Sequence, residues 1–178
     1  MSILVELHPD RYDPNAFARF NPASSDFDLD VARAIMWMSQ LAYETHVPDT
    51  ITKVSGIWKL NARSFIQPVT STLPLSDTRG VIAEKDGATI VAFAGTDPLL
   101  LPNWISDFHV DLLHGDVHGG FEAAAAAVWD TVKDVLAPSN SPVFITGHSL
   151  GAALAVLTAD HARRDLKLAN AQVYLYGC

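Results

Sequence analysis

The stretch Val143-Phe144-Ile145-Thr146-Gly147-His148-Ser149-Leu150-Gly151-Ala152 decides how this chain is read. An apolar, β-rich run breaks off at Gly147, and a serine follows between two glycines. Beyond it, "SLGAALAVLTADHARRD" has helical composition, with Arg163 and Arg164 near its end, where the helix dipole favours cations. A short, wholly apolar strand feeding a helix belongs to a buried parallel sheet. Gly-X-Ser-X-Gly at that junction is a nucleophile elbow. The turn is so tight that the residues two before and two after the serine must lack side chains, which Gly147 and Gly151 supply. Ser149 is then pushed up at the carboxyl edge of the sheet. The helix that begins there aims free N–H groups at the site, so the Leu150 amide can stabilise an oxyanion.

The flanks agree with a buried parallel sheet. "AQVYLYG" is a second apolar strand after the helix. Before the elbow, Phe121 to about Leu136 is an alanine-rich helix with Val128, Val132 and Val135, ended by Ala137-Pro138. Further back, "GVIAEKDGATIVAFAGT" is a hairpin signal around Lys85-Asp86-Gly87. Strand, helix, strand, helix, strand in succession implies parallel strands with right-handed crossovers, an α/β architecture in one domain over 1–178. "SGIWKL" and "RSFIQPV" read as short β-like pieces. From Asp28, "DLDVARAIMWMSQLAYET" reads as a helix with acids in its first turn. Its stripe of Leu29, Ala32, Ile35, Met36, Ser39 and Tyr43 is expected in the core. Residues 1–27, with Pro9, Pro14 and Pro22, form an irregular arm expected to wrap the surface.

Composition sets the outer bounds. Hydrophobic residues make up 49% and charged residues 18%, a globular balance. The net charge of −8 speaks against nucleic acid and against docking on anionic lipid, and leaves neutral interfaces open. The single cysteine, Cys178, allows no internal disulfide and makes a cysteine-based zinc site implausible. No apolar run approaches the ~20 residues of a membrane span. The opening "MSILVELHPDRYDP" shows no signal peptide, which leaves the compartment unassigned.

Five stretches carry a family resemblance. "VFITGHSLGAALAVLTA" resembles the nucleophile region of the class 3 (fungal-type) lipases, which have the α/β-hydrolase fold. "IVAFAGTD" resembles that family's strand ending in a Gly-Thr or Gly-Ser turn, although Ala94 stands where the family usually has arginine. "PNWISDF" resembles its Asn-Trp-x-x-Asp lid segment, and "VHGGF" its Val-His-x-Gly-Phe stretch. "VYLYGC" resembles the strand after the elbow helix. The resemblance implies a mostly parallel sheet with flanking helices, with Ser149 as nucleophile. It also implies that Thr96 joins Leu150 in the oxyanion hole. No metal or organic cofactor is implied. It makes the apolar segment at about 97–110, with Leu100, Trp104, Ile105 and Phe108, a lid or acyl-binding element facing a lipid–water interface. An ester or lipid substrate follows.

One part of the chemistry is missing. Ser149 needs an imidazole base and a carboxylate to hold it. In this fold both follow the nucleophile in sequence, acid first. After Ser149 come only Asp160, Asp165 and His161, on the elbow helix. At 1.5 Å per residue His161 lies roughly 18 Å along the axis from Ser149, out of reach, and a solvated helix face is expected for all three. His109, His114 and His118 fall in the lid-like and following segments, where structural roles are expected. His148 should point away from the reacting face, packed and hydrogen-bonded. The chain therefore reads as the N-terminal part of a longer domain. The acid and histidine would lie beyond residue 178 or in a second chain. The alternative is a truncated or degenerate hydrolase domain that binds lipid or a partner without turnover.

Overall fold

The structure, a computed structural model, describes residues 6–24, 26–69, 77–95, 117–137, 141–168 and 171–177, and only the backbone of 117–120. Asp28 opens helix α1 (Leu29–Leu41), its carboxylate accepting from the Asp30 and Val31 amides. The buried face of α1 is Val31, Ala34, Ile35, Met38 and Leu41. Ile35, Ser39 and Tyr43 lie in the core as expected, but Leu29 and Met36 are 76% and 42% exposed. The burying stripe is anchored on Val31, and successive helical positions rotate about 100°, which turns Met36 away from Ile35's face.

A 3-10 turn at Ala42–His46 leads to α2 (Pro48–Trp58). "SGIWKL" is thus the last turn of a helix and its exit, not a strand. Pro48 sits in the first turn, Ile51, Val54, Ser55 and Trp58 are buried at helical spacing, and Lys59 ends the helix at φ 55°. Trp58 Nε1 donates to the Asp13 carbonyl at 2.8 Å, so packing against the arm overrides the local β preference.

Five strands follow: β1 (Asn61–Pro68), β2 (Asp77–Lys85), β3 (Ala88–Phe93), β4 (Val143–His148) and β5 (Gln172–Tyr176), in the order β1-β2-β3-β4-β5. β1, β2 and β3 are antiparallel, while β3, β4 and β5 are parallel. The hairpin turn falls at Asp86 (φ 48°) and Gly87 (φ 79°), as the Asp-Gly pair requires. The crossovers carry α3 (Val117–Leu136), which starts one turn earlier than expected, and α4 (Leu150–Asp165).

Both faces of the sheet are covered, which explains strands without polar alternation. Ile90, Ala92 and Phe144 face α1, α2 and the N-terminal arm. Val91, Phe93 and Ile145 face α3 and α4. The arm does more than wrap: Tyr12, Ala16, Phe17 and Phe20 are buried, and Phe20 meets Phe144 edge-on at 5.4 Å. A buried carboxylate fastens it, with Glu44 accepting from the Leu7 amide (2.6 Å) and the Tyr12 hydroxyl (2.9 Å). Among the described residues β5 pairs only with β4, and its Val173 and Leu175 are 39% and 38% exposed. The carboxyl ends of β3, β4 and β5 lie level, with Phe93 beside Gly147 and His148 beside Tyr176.

Candidate active site

Ser149 stands between β4 and α4 with φ 55° and ψ −124°. A residue with a Cβ rarely adopts this geometry, and it costs on the order of 1–3 kcal/mol unless surrounding contacts enforce it. Those contacts are backbone bonds. The Ser149 amide donates to the Tyr176 carbonyl of β5 at 3.0 Å, and the Ser149 carbonyl accepts from Ala152 at 2.9 Å as α4 begins. The flanking glycines are sterically required. A Cβ on Gly147 would lie 2.0 Å from the Gly151 carbonyl oxygen, and one on Gly151 would lie 2.5 Å from the Phe93 oxygen. The strand-to-helix turn therefore has the form expected from sequence.

The side chain of Ser149 is half-buried. Beside it, Leu150 opens α4, and the first residue of a helix has no intrahelical acceptor for its amide, which suits that N–H to an anion. The end of β3 also closes on the elbow. A Cβ on Gly95 would lie 2.6 Å from the His148 carbonyl oxygen and 3.4 Å from Ser149 Cβ. Thr96 lies outside the described residues, as do Leu100, Trp104, Ile105, Phe108, His109, His114 and the side chain of His118.

His148 at the end of β4 and His161 well along α4 are both packed against neighbours. His148 is packed and hydrogen-bonded, as expected, with Nδ1 3.0 Å from the Tyr43 hydroxyl. Burial holds its pKa below the ordinary imidazole value. His161 departs from the expected solvated face. Its side chain is 15% exposed, with Nε2 3.1 Å from Glu122 Oε1 and its ring 5.2 Å from that of Trp129 on α3. Helix α3 packs against that turn of α4, so the imidazole serves the helix–helix interface. Asp160 pairs on the surface with Arg163 and Arg164, whose hydrogen bond and charge hold its carboxyl below the usual range. Asp165 is exposed.

Tyr43 escaped the sequence reading as a site residue. It counted only as core, because its partner His148 lies 105 residues away in sequence and no local pattern announces the pair. An apolar cavity of about 420 Å³ opens beside His148, walled by Leu7, Met36, Trp37 and Tyr176. Among the described residues no three His, Cys, Asp or Glu side chains gather as metal ligands would, and no helix is long and apolar enough to cross a membrane.

Residues 90–178, from β3 through the elbow to β5, match the family model described as lipase (class 3), which is half of the chain. The chain belongs to the class 3 lipase family. A Caenorhabditis elegans protein named as a lipase is 29% identical over 164 residues, covering 85% of this chain and 46% of its own length. The solved Rhizomucor miehei triacylglyceride lipase superposes with a TM-score of 0.53 at 21% identity, over 85% of this chain and 62% of its own. That likeness fixes the α/β-hydrolase fold. This class 3 lipase chain thus spans less than half of the nematode relative and under two thirds of the fungal one.

Proposed function

We propose that this chain carries the nucleophile and oxyanion hole of a serine carboxylic-ester hydrolase, a lipase acting on acylglycerol esters. The observation that carries the proposal is Ser149 itself, held at φ 55° at the head of a helix, between glycines that cannot be replaced without collision. Such strain persists where the surroundings over-determine it, and it presents Oγ above the sheet's carboxyl edge.

In the reaction, Ser149 Oγ attacks the ester carbonyl carbon and its proton passes to an imidazole. The tetrahedral oxyanion rests on the Leu150 and Thr96 amides, with the Thr96 hydroxyl as a further donor. Collapse expels the alcohol, which takes the proton, and leaves an acyl group on Ser149. Water then attacks the acyl carbon, the same imidazole accepting its proton and passing it to Ser149 Oγ as the acyl–Oγ bond breaks and the fatty acid departs. The imidazole and its carboxylate come from sequence beyond residue 178, in the same polypeptide or a second chain. His148 bonds to Tyr43, His161 lies more than three turns along α4 from Ser149, and the matched relatives are longer. The segment at about 97–110 acts as the lid, with Leu100, Trp104, Ile105 and Phe108 turned to the lipid–water interface when open.

Ser149→Ala should abolish turnover of a short soluble ester, and unchanged turnover would remove Ser149 from the mechanism. Trp104→Asp should depress hydrolysis of emulsified triglyceride far more than of the soluble ester, whereas equal losses would count against the lid. A second reading, a lipid-binding or interaction module without turnover, draws on the packing of His148 against Tyr43 and of His161 against Trp129. It is distinguished by a full-length protein that binds triglyceride emulsion but hydrolyses no ester.

A further inference from the structure

We propose that the apolar cavity beside His148 is a lipid site separate from Ser149. It takes the single alkyl chain of a neutral lipid whose head is a hydroxyl, the class of the monoacylglycerols. The inference does not depend on Ser149 being a nucleophile.

The cavity lies on the face of the sheet that α1 covers. Phe144, Thr146 and His148 alternate onto that face along β4. It holds about 420 Å³, within the roughly 300–1,000 Å³ of small-molecule sites. Its walls are pinned from outside. The Leu7 amide donates to Glu44 (2.6 Å), and the Tyr176 hydroxyl donates to the Ala32 carbonyl (2.6 Å). Trp37 packs on Tyr12 with ring centroids 5.6 Å apart, and His148 Nδ1 lies 3.0 Å from the Tyr43 hydroxyl. None of these four can fold into the space without losing a contact made elsewhere, so the cavity is preformed. Met36, 42% exposed, stands at its mouth. Its unbranched thioether chain adapts to an apolar guest at little cost.

The lining selects the chemistry of the guest. Among the described residues that line the cavity there is no Asp, Glu, Lys or Arg. Burial holds the His148 pKa below the ordinary imidazole value, so its ring is neutral at pH 7. A carboxylate or phosphate drawn inside would lose its water without gaining a cation, which disfavours fatty-acid anions and phospholipids. Leu7, Met36, Trp37 and Tyr176 suit an alkyl chain, and a volume in the lower half of the range suits one chain. Of the polar groups, Ser39 is bonded to Thr146 at 2.7 Å and Gln40 is partnered. His148 Nδ1 is taken by Tyr43, which leaves Nε2, on the edge of the ring that lies against Gly177. A neutral imidazole carries one N–H, so Nε2 donates in one tautomer and accepts in the other. A hydroxyl can do either, and so fits both tautomers.

The test uses the full-length protein and two photoreactive probes of equal chain length, dodecanol and dodecanoate, each with a diazirine in its chain. After irradiation and digestion the labelled peptides are mapped by mass. Saturable labelling by the alcohol is expected on the peptide carrying Met36-Trp37 and on the one carrying Tyr176-Gly177. The carboxylate should need about tenfold more for half-saturation. His148→Leu keeps an apolar wall and removes Nε2, so it should weaken the alcohol about fivefold. Met36→Trp, at an exposed position, should fill the mouth and suppress the label at Tyr176 with Tm held. Blocking Ser149 with an organophosphonate should leave the labelling intact. Equal labelling by the two probes, or unchanged alcohol binding in His148→Leu, overturns the hydroxyl assignment. No label on either peptide, as when further polypeptide fills the cavity, overturns the site, and so does a label lost on blocking Ser149. A protein whose Ser149 takes no organophosphonate overturns the serine-hydrolase reading and not the cavity.

Discussion

Replacing Ser149 by glycine and, separately, by alanine isolates the strain on which the elbow depends. Both variants lose the hydroxyl. Both keep the backbone bonds to Tyr176 and Ala152, because those use the main chain of residue 149. They differ in the Cβ. At φ 55° and ψ −124° a Cβ costs on the order of 1–3 kcal/mol, and glycine removes that cost. Against it stands the extra freedom glycine gives the unfolded chain, roughly 0.5–1 kcal/mol. With strain near the middle of its range, Ser149→Gly should be more stable than Ser149→Ala by about 1 kcal/mol. For a domain of this size that corresponds to a Tm difference of roughly 2–4 °C. Urea unfolding of both variants, with matching m-values, measures the difference directly. In unstrained backbone the order reverses, so a glycine variant less stable than the alanine variant by about 0.5–1 kcal/mol would refute the strained elbow.

Other expectations use the same kind of contrast. Gly151→Ala pushes a Cβ to 2.5 Å from the Phe93 carbonyl oxygen and should cost about 3 kcal/mol or prevent folding. Gly56→Ala in α2, where a Cβ meets nothing within 4 Å, should stabilise by roughly 0.5–1 kcal/mol, and thermal melts of the two variants check both signs. Glu44→Gln keeps an oxygen for the Leu7 and Tyr12 donors and should be neutral or mildly stabilising at pH 7, because burial raises the Glu44 pKa and makes its charged form costly. Glu44→Ala strands both donors and should lose about 2–3 kcal/mol in denaturant titrations. For His148 the folded pKa lies below the unfolded value, so the unfolded chain binds the proton first and stability falls as pH drops through the ordinary imidazole range. Glu44, with its raised pKa, contributes the opposite slope at lower pH. The loss in urea midpoint between pH 7.5 and 5.5 should therefore be smaller in His148→Asn than in the unsubstituted protein.

Much of the fold was legible because its signals are local. The elbow glycines, the Asp86-Gly87 hairpin and the apolar β4 each state their geometry within a few residues, and the structure has all of them. The misreadings arose where partners are distant. Ile57 and Trp58 look like strand residues, yet Trp58 is held in α2 by the Asp13 carbonyl. Met36 suits a core stripe until the position of Val31 sets which face turns inward. His161 looks solvated on its own helix, and only the packing of Trp129 and Glu122 on α3 encloses it. At the site, Ser149 and Leu150 could be read from the turn alone. The bond between Tyr43 and His148 could not, because the two lie 105 residues apart.

The central claim is that Ser149 is the activated nucleophile of an ester hydrolase, and trapping it tests that most directly. The full-length protein is treated with a fluorescent organophosphonate, digested, and its peptides mapped by mass. One adduct is expected, on the peptide carrying Gly147-His148-Ser149-Leu150-Gly151, lost in Ser149→Ala together with ester hydrolysis. An adduct on another residue, or undiminished labelling of Ser149→Ala, would contradict it.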